Sequence, residues 1–435
     1  MTAFDFTPVS VKCNGTRRNP RQQESLSQTP SPKPRFTQIE VDYELINPSA
    51  ANDWGAVDDR LALVRTAFHP QTPVDLESLL ALLILSNYEY AHRGNALKMA
   101  VRTSQAIITA KTMSLHRLGS ETDGFSESRR RAWWMTYFCA HVYSAVREDA
   151  PLEDVQSGVT TPLPRFGSDT KAWEVFIESV QILAATVQFI SSSKLPSKLQ
   201  GTGTLVYEEF IKLDTWVDLA TRKEIASSPS TPTPGIGDNN EQFTASVMRH
   251  FSRIRLSSSR IRMHRHKAFW NITPFSKAHC DLPGPSAFAI STMRDGSRMD
   301  AAVTTSNGQW PSPHDSEQAA AICIESALAI ARDLRTLPTS ATSYDGCVPA
   351  RTMPTSSCCV MQAAYALLME LCRLRVVCQV TFGGQGNIQS TERALDEIGR
   401  ALQDIIIALN DFARVFEAIG KIRDEVKAAI PAAYT

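Results

Sequence analysis

The sequence predicts an all-α fold, a large helical bundle or array with two insertions of disordered composition. Three observations lead there. Between Leu79 and Phe138, two apolar runs of helical period are separated by Arg93-Gly94-Asn95, and a third opens after Asp123-Gly124. Near the C-terminus, Leu395, Ile398, Leu402, Ile405, Leu409, Phe412, Phe416 and Ile419 alternate steps of three and four. Stretches rich in Ser, Pro, Gly and Asp, near 227–240 and 283–316, interrupt the periodic segments.

In chain order, residues 1–50 lack apolar periodicity and carry Lys12, Arg17, Arg18, Arg21, Lys33 and Arg35. They read as a flexible basic arm. Residues 57–435 read as the helical region. A short amphipathic helix covers Val57 to Phe68 and stops at His69-Pro70. The next, Leu76 to Tyr90, is apolar on almost every side, which predicts a place in the middle of a bundle. After Gly94, small residues at Thr103, Ala106 and Ala110 predict close approach in an antiparallel helical hairpin. Ser126 reads as the N-cap of the third helix, with Glu127 near its positive end.

Further helices are expected over Ala172 to Ser191, and over Leu205 to Ala220 with Trp216 and Leu219 on the apolar side. Phe243 to Phe269 carries Arg249, Arg253, Arg255, Arg260, Arg262, Arg265 and Lys267, the most basic stretch of expected regular structure. A DNA-contact helix would carry such a run. So would a bundle helix whose Phe251, Ile254, Ile261 and Met263 face inward while its arginines snorkel outward, and the apolar periodicity favours the latter. Gln318 to Leu337 places Cys323, Ala327, Ile330 and Leu334 on one face. Cys347, Cys358 and Cys359 surround a loop, followed by a buried helix over Met361 to Val380. The C-terminal stripe could seam a coiled-coil dimer, but its two phenylalanines and few flanking charge pairs favour packing within the chain.

Chemistry is conspicuously absent from the motifs. There is no Gly-x-Ser-x-Gly turn, phosphate-binding loop or His-Glu-x-x-His, so an enzyme is not expected. Gly201-Thr202-Gly203 and Gly383-Gly384-Gln385-Gly386 lack the preceding strand of a nucleotide site. His264 and His266, with His279-Cys280-Asp281 downstream, do not share a helix face and predict no metal site. With 45 basic and 45 acidic residues, the net charge of +0 argues against general affinity for polyanions, so nucleic-acid contact would have to be local. Nine cysteines without close repeated spacing predict reduced thiols. The N-terminus lacks a basic start followed by an apolar run, and no uninterrupted apolar segment would cross a bilayer, so no membrane partner is expected.

A resemblance adds to this reading. Lys12-Cys13-Asn14-Gly15-Thr16-Arg17 is similar to the middle of a zinc binuclear cluster, in which a basic run precedes the third of six cysteines. Two zinc ions need six thiolates, and Cys13 stands alone as a remnant, the next cysteine being Cys139. Asn87-Tyr88-Glu89-Tyr90, Arg93-Gly94-Asn95, Ser114-Leu115-His116, Glu127-Ser128-Arg129-Arg130-Arg131-Ala132-Trp133-Trp134 and Thr160-Thr161-Pro162-Leu163-Pro164 follow in the order and approximate spacing of the middle homology region. The sequence thus resembles fungal zinc-cluster transcription factors. The family's Gly-Leu-His element has Ser114 in place of glycine, and an Asp common after the second Trp position is Ala140 here, followed by His141.

The resemblance implies a nuclear transcription regulator whose helical region restrains or transmits activation. Its implied partners are the transcription machinery, an intact homologous factor or a small inducer. DNA contact would fall to Lys12, Arg17 and Arg18, and no zinc is expected in this chain although intact relatives would hold it. Arg129, Arg130, Arg131, Trp133 and Trp134 are expected as a structural hub, the arginines covering indole faces and pairing with carboxylates. The alternative is a DNA-free helical module that senses a ligand or binds a protein.

Overall fold

The structure, a computed structural model, describes residues 75–119, 125–147, 155–193, 203–227, 239–269, 313–338, 354–381 and 388–434. The basic arm with Lys12, Cys13, Arg17 and Arg18, the expected helix over 57–68, Cys347, and His279-Cys280-Asp281 lie outside these residues. So do 228–238 and 283–312, the greater part of the two expected insertions. Residues 70–435 form one compact unit.

The described residues are all-α, with ten α-helices and no strand among them. They are α1 (Leu76–Ala91), α2 (Ala96–Thr112), α3 (Ser126–Arg147), α4 (Ala172–Ser193), α5 (Gly203–Ser227), α6 (Asn239–Ala268), α7 (Pro313–Arg335), α8 (Ser357–Thr381), α9 (Ile388–Ala413) and α10 (Glu417–Tyr434). Short 3-10 turns at Leu115–Arg117 and Pro354–Ser356 follow α2 and precede α8. The second insertion ends earlier than its composition suggests, because residues 313–316 already form the first turn of α7.

The α1–α2 hairpin follows from its turn chemistry. Asp75 caps α1 by accepting from the Ser78 N–H at 2.7 Å, and the Ser78 hydroxyl together with this N–H lowers its carboxyl pKa. Asn95 caps α2 through the Lys98 N–H at 2.9 Å. Gly94 turns the chain at φ +65°, and a Cβ there would come within 3.4 Å of Ala418 on α10. Ser126 is the first residue of α3 rather than the residue before it.

The 30-residue α6 is the axis of the bundle, roughly 45 Å long at helical rise. It contributes to all three apolar clusters. Ala245 and Met248 join the core of α1–α4; Leu256 and Met263 join that of α4 and α5; Val247, Phe251, Ile254 and Ile261 join the largest, with α7–α10. Ala172–Ser191 and Ser357–Leu374 are apolar and long enough to cross a bilayer. Here they belong to α4 and α8, with 61% and 83% of those stretches buried in the protein, and core packing accounts for their hydrophobicity. Cysteine serves as a small core residue: Cys139, Cys323, Cys358 and Cys359 are buried and free. Burial pushes the Cys139 and Cys323 thiols up to about 12.

Several expectations are corrected. Helix α1 is not central: Leu79 and Leu83 are buried, but Ile84 and Leu85 are 69% and 41% exposed. Its apolar residues exceed what one packed face can cover. On α5, Trp216 packs inward while Leu219 is exposed, and Val217 and Ala220 supply the core face. Cys358 and Cys359 lie in the first turn of α8 rather than beside a loop. The C-terminal stripe is buried within the chain as expected, but it is not one helix. It breaks after Ala413, and the corner docks on the end of α1, where the Ala418 N–H donates to the His92 carbonyl at 3.1 Å. The 3–4 rhythm survives because Phe412 and Ile419 still reach the same core from two helices.

Phe251, fully buried at the middle of α6, tests this arrangement. Phe251→Ala should cost about 3–5 kcal/mol in urea unfolding of the full chain. A loss below about 1 kcal/mol would mean that α6 is not the packed axis.

Candidate functional site

The turn after α2, the Trp133-Trp134 pair of α3 and the loop over 160–162 meet in one place. Beyond the end of α2, Ser114 takes the left-handed conformation with φ 56° and leads into the Leu115–Arg117 turn. The N–H groups of Thr160 and Thr161 donate to the His116 carbonyl at 2.9 and 3.3 Å, and the Thr161 hydroxyl accepts from the Leu118 N–H at 2.9 Å. The Trp134 indole N–H of α3 donates to the Pro162 carbonyl at 3.0 Å. The His116 ring lies 5.7 Å from that of Trp133, which is fully buried.

The arginine run anchors α3. Arg130 and Arg131 pair with Glu127 at 3.4 and 3.1 Å, and Arg131 reaches Glu241 of α6 at 3.1 Å. Glu241 also accepts from the Gly167 N–H at 3.1 Å. The ring covered by Arg131 is Phe166, at 5.2 Å, rather than an indole. Arg129 is half-buried on the same helix. Arg130 and Arg131 thus hold α3 through carboxylates, with Glu241 as the long-range counter-ion. Nothing in the sequence marked Glu241, which lies 110 residues from Arg131.

Beside this hub, a shallow cleft of about 350 Å³ is lined by Trp134, Tyr137, Gln156, Val159, Thr160 and Thr161. Its floor is a set of neutral polar groups. Buried His141 donates from Nδ1 to the Tyr137 carbonyl at 2.9 Å, leaving Nε2 to accept from the Gln156 amide at 3.2 Å. That pairing assigns the neutral tautomer. Burial lowers the His141 pKa, and burial raises that of Tyr137, whose hydroxyl accepts from Gln181 at 2.7 Å. His141 is therefore no counter-ion for the arginine run. The arginines turn instead to Glu127 and Glu241.

Most of the arginines of the basic helix α6 do not snorkel outward. Arg249, Arg255, Arg262 and Arg265 are at most 3% exposed. Arg249 forks onto Asp169 at 2.8 and 2.9 Å and donates to the Ser227 hydroxyl at 2.8 Å. Arg253 bridges Asp333 at 2.7 Å and Glu224 at 2.9 Å. Arg255 packs against the stacked Phe138 and Phe176 rings, 4.7 and 4.6 Å from their centres, and burial lowers its pKa to about 10. Arg265 donates to Gln362. His264 donates from Nε2 to Asp214 at 3.1 Å. Among the described residues no three His, Cys, Asp or Glu side chains could hold a metal ion.

No family model, curated protein or solved structure matches this chain.

Two tests follow from the hub. Ser114 occupies backbone space that glycine enters without steric cost, whereas other residues lose about 1–2 kcal/mol there. Ser114→Gly should therefore raise unfolding stability by up to about 1 kcal/mol after its greater unfolded-chain entropy is counted; a loss would contradict the left-handed geometry. The depressed His141 pKa contributes stability that is intact above the unfolded value of 6.5 and is lost as pH falls towards the folded value. Denaturation between pH 7 and pH 5 should show a slope from this group of at most about 1.4 kcal/mol per pH unit, reduced in His141→Gln. An unchanged slope in the variant would remove His141 from the cause.

Proposed function

We propose that the chain is a nuclear transcription regulator of the zinc-cluster type, acting through its helical regulatory region. The observation that carries this reading is the convergence of Ser114-Leu115-His116, the Arg129–Trp134 helix and the Thr160–Pro164 loop on one hub. The left-handed Ser114 supports it too, since the resembled family carries glycine at that position and glycine suits that backbone.

In this reading the helical region does not read DNA. Its most basic helix turns the guanidinium groups of Arg249, Arg255, Arg262 and Arg265 inward, away from any phosphate backbone. Direct DNA contact falls to Lys12, Arg17 and Arg18, and Cys13 alone cannot supply the six thiolates of a zinc cluster. Regulation then proceeds through an intact homologous factor or the transcription machinery. The cleft beside Trp134 favours a second reading, a DNA-free module that senses a small polar ligand.

Tethering separates the two. Fused to a heterologous DNA-binding domain in a fungal nucleus, the full chain should change reporter transcription at least severalfold. A reporter indistinguishable from the DNA-binding domain alone, at equal protein level, rejects the regulatory reading.

A further inference from the structure

Every exposed residue of α1 lies on one face. Glu77, Ala81, Ile84, Leu85 and Tyr88 follow at steps of four, three, one and three, within an arc of about 100°. Leu79, Leu83 and Ser86 form the buried face opposite. Single exposed apolar residues are common on any surface, whereas a contiguous apolar face marks a place of contact.

The two ends of this face differ in charge. Glu77 stands in the first turn of α1. At the other end Tyr88 stacks on His92 with ring centres 4.8 Å apart, and the exposed Arg93 guanidinium folds back over the Tyr88 ring at 5.5 Å. The order is self-complementary. Laid against a copy of itself in the reverse direction, about a two-fold axis at Ile84 and Leu85, the face sets Glu77 opposite Arg93 and small Ala81 opposite broad Tyr88. Each pairing then occurs twice. The C-terminal stripe, whose rhythm could also seam two copies, is spent on the core of its own chain.

We propose that this face of α1 is the interface of a homodimer, with α1 of one copy packed antiparallel on α1 of the other. Its palindromic order of charge and size favours a second copy over an unrelated protein, which would not require that symmetry. The strip is roughly 24 Å long and one helix wide, less than the roughly 800 Å² a side of a standard complex, so the pair forms reversibly. This pairing does not depend on the regulatory reading.

The test is sedimentation equilibrium of the full chain over a range of concentrations, where a monomer–dimer equilibrium is expected. Ile84→Lys and Ile84→Glu should each weaken dimerisation at least tenfold, because like charges meet at the axis. An equal mixture of the two variants should associate more tightly than either alone, since the mixed pair brings opposite charges together. Glu77→Lys, which would face Arg93 of the second copy at both ends, should weaken association a few-fold and carries the test if the Ile84 variants do not fold. A parent that is monomeric at every concentration leaves the face to another segment or a different protein and overturns the proposal. So does a variant that associates as tightly as the parent, or a mixture no tighter than its components.

Discussion

The burial of a basic helix is the constraint to which the rest of this fold answers. A 30-residue helix with seven cationic side chains between Arg249 and Lys267 would ordinarily lie on a surface. Here it fills the centre, and each neighbour contributes something that its guanidinium groups require. The turn before α4 supplies Asp169, α5 supplies Glu224, α7 supplies Asp333, and α3 with α4 supplies the rings against Arg255. Losing one partner of a buried pair costs on the order of 3–5 kcal/mol, more than most apolar contacts. The ion pairs therefore select which way round the helices pack, while Phe251, Ile254 and Ile261 provide the burial that holds them together.

What the sequence discloses and what it hides divides along the range of the interactions. Helix existence rests on local periodicity, and the described helices lie where the apolar spacing places them, commonly with a few more residues at their ends. The orientation of α6 rests on pairings 80 residues distant in both directions, from Arg249 back to Asp169 and from Arg253 on to Asp333. No local pattern distinguishes such an arginine from a solvated one. Helix α1 misleads for the opposite reason: its excess of leucines hides the fact that only one side is covered. The corner after Ala413 is invisible because a one-core stripe keeps its rhythm across it.

The candidate site was legible in its components and not in its wiring. The Arg-Arg-Arg-Ala-Trp-Trp run and the loop of two threonines and two prolines stand out in the sequence. That the second indole is bonded to the loop, and that an acidic residue at the start of α6 completes the arginine anchor, required the fold. The same wiring links the hub to the axis of the bundle, since Glu241 belongs to α6.

The buried thiols give the molecule an internal gauge of opening. Burial pushes the Cys139 and Cys323 thiols up, so that they stay protonated and unreactive at neutral pH. Both also sit out of reach of solvent, one in the core of α1–α4 and the other in the core shared by α6 and α7–α10. An alkylating reagent can therefore modify either only during excursions that expose its own cluster. The two halves of the bundle thus carry separate chemical clocks, and the ratio of their rates distinguishes opening of one half from cooperative unfolding of both.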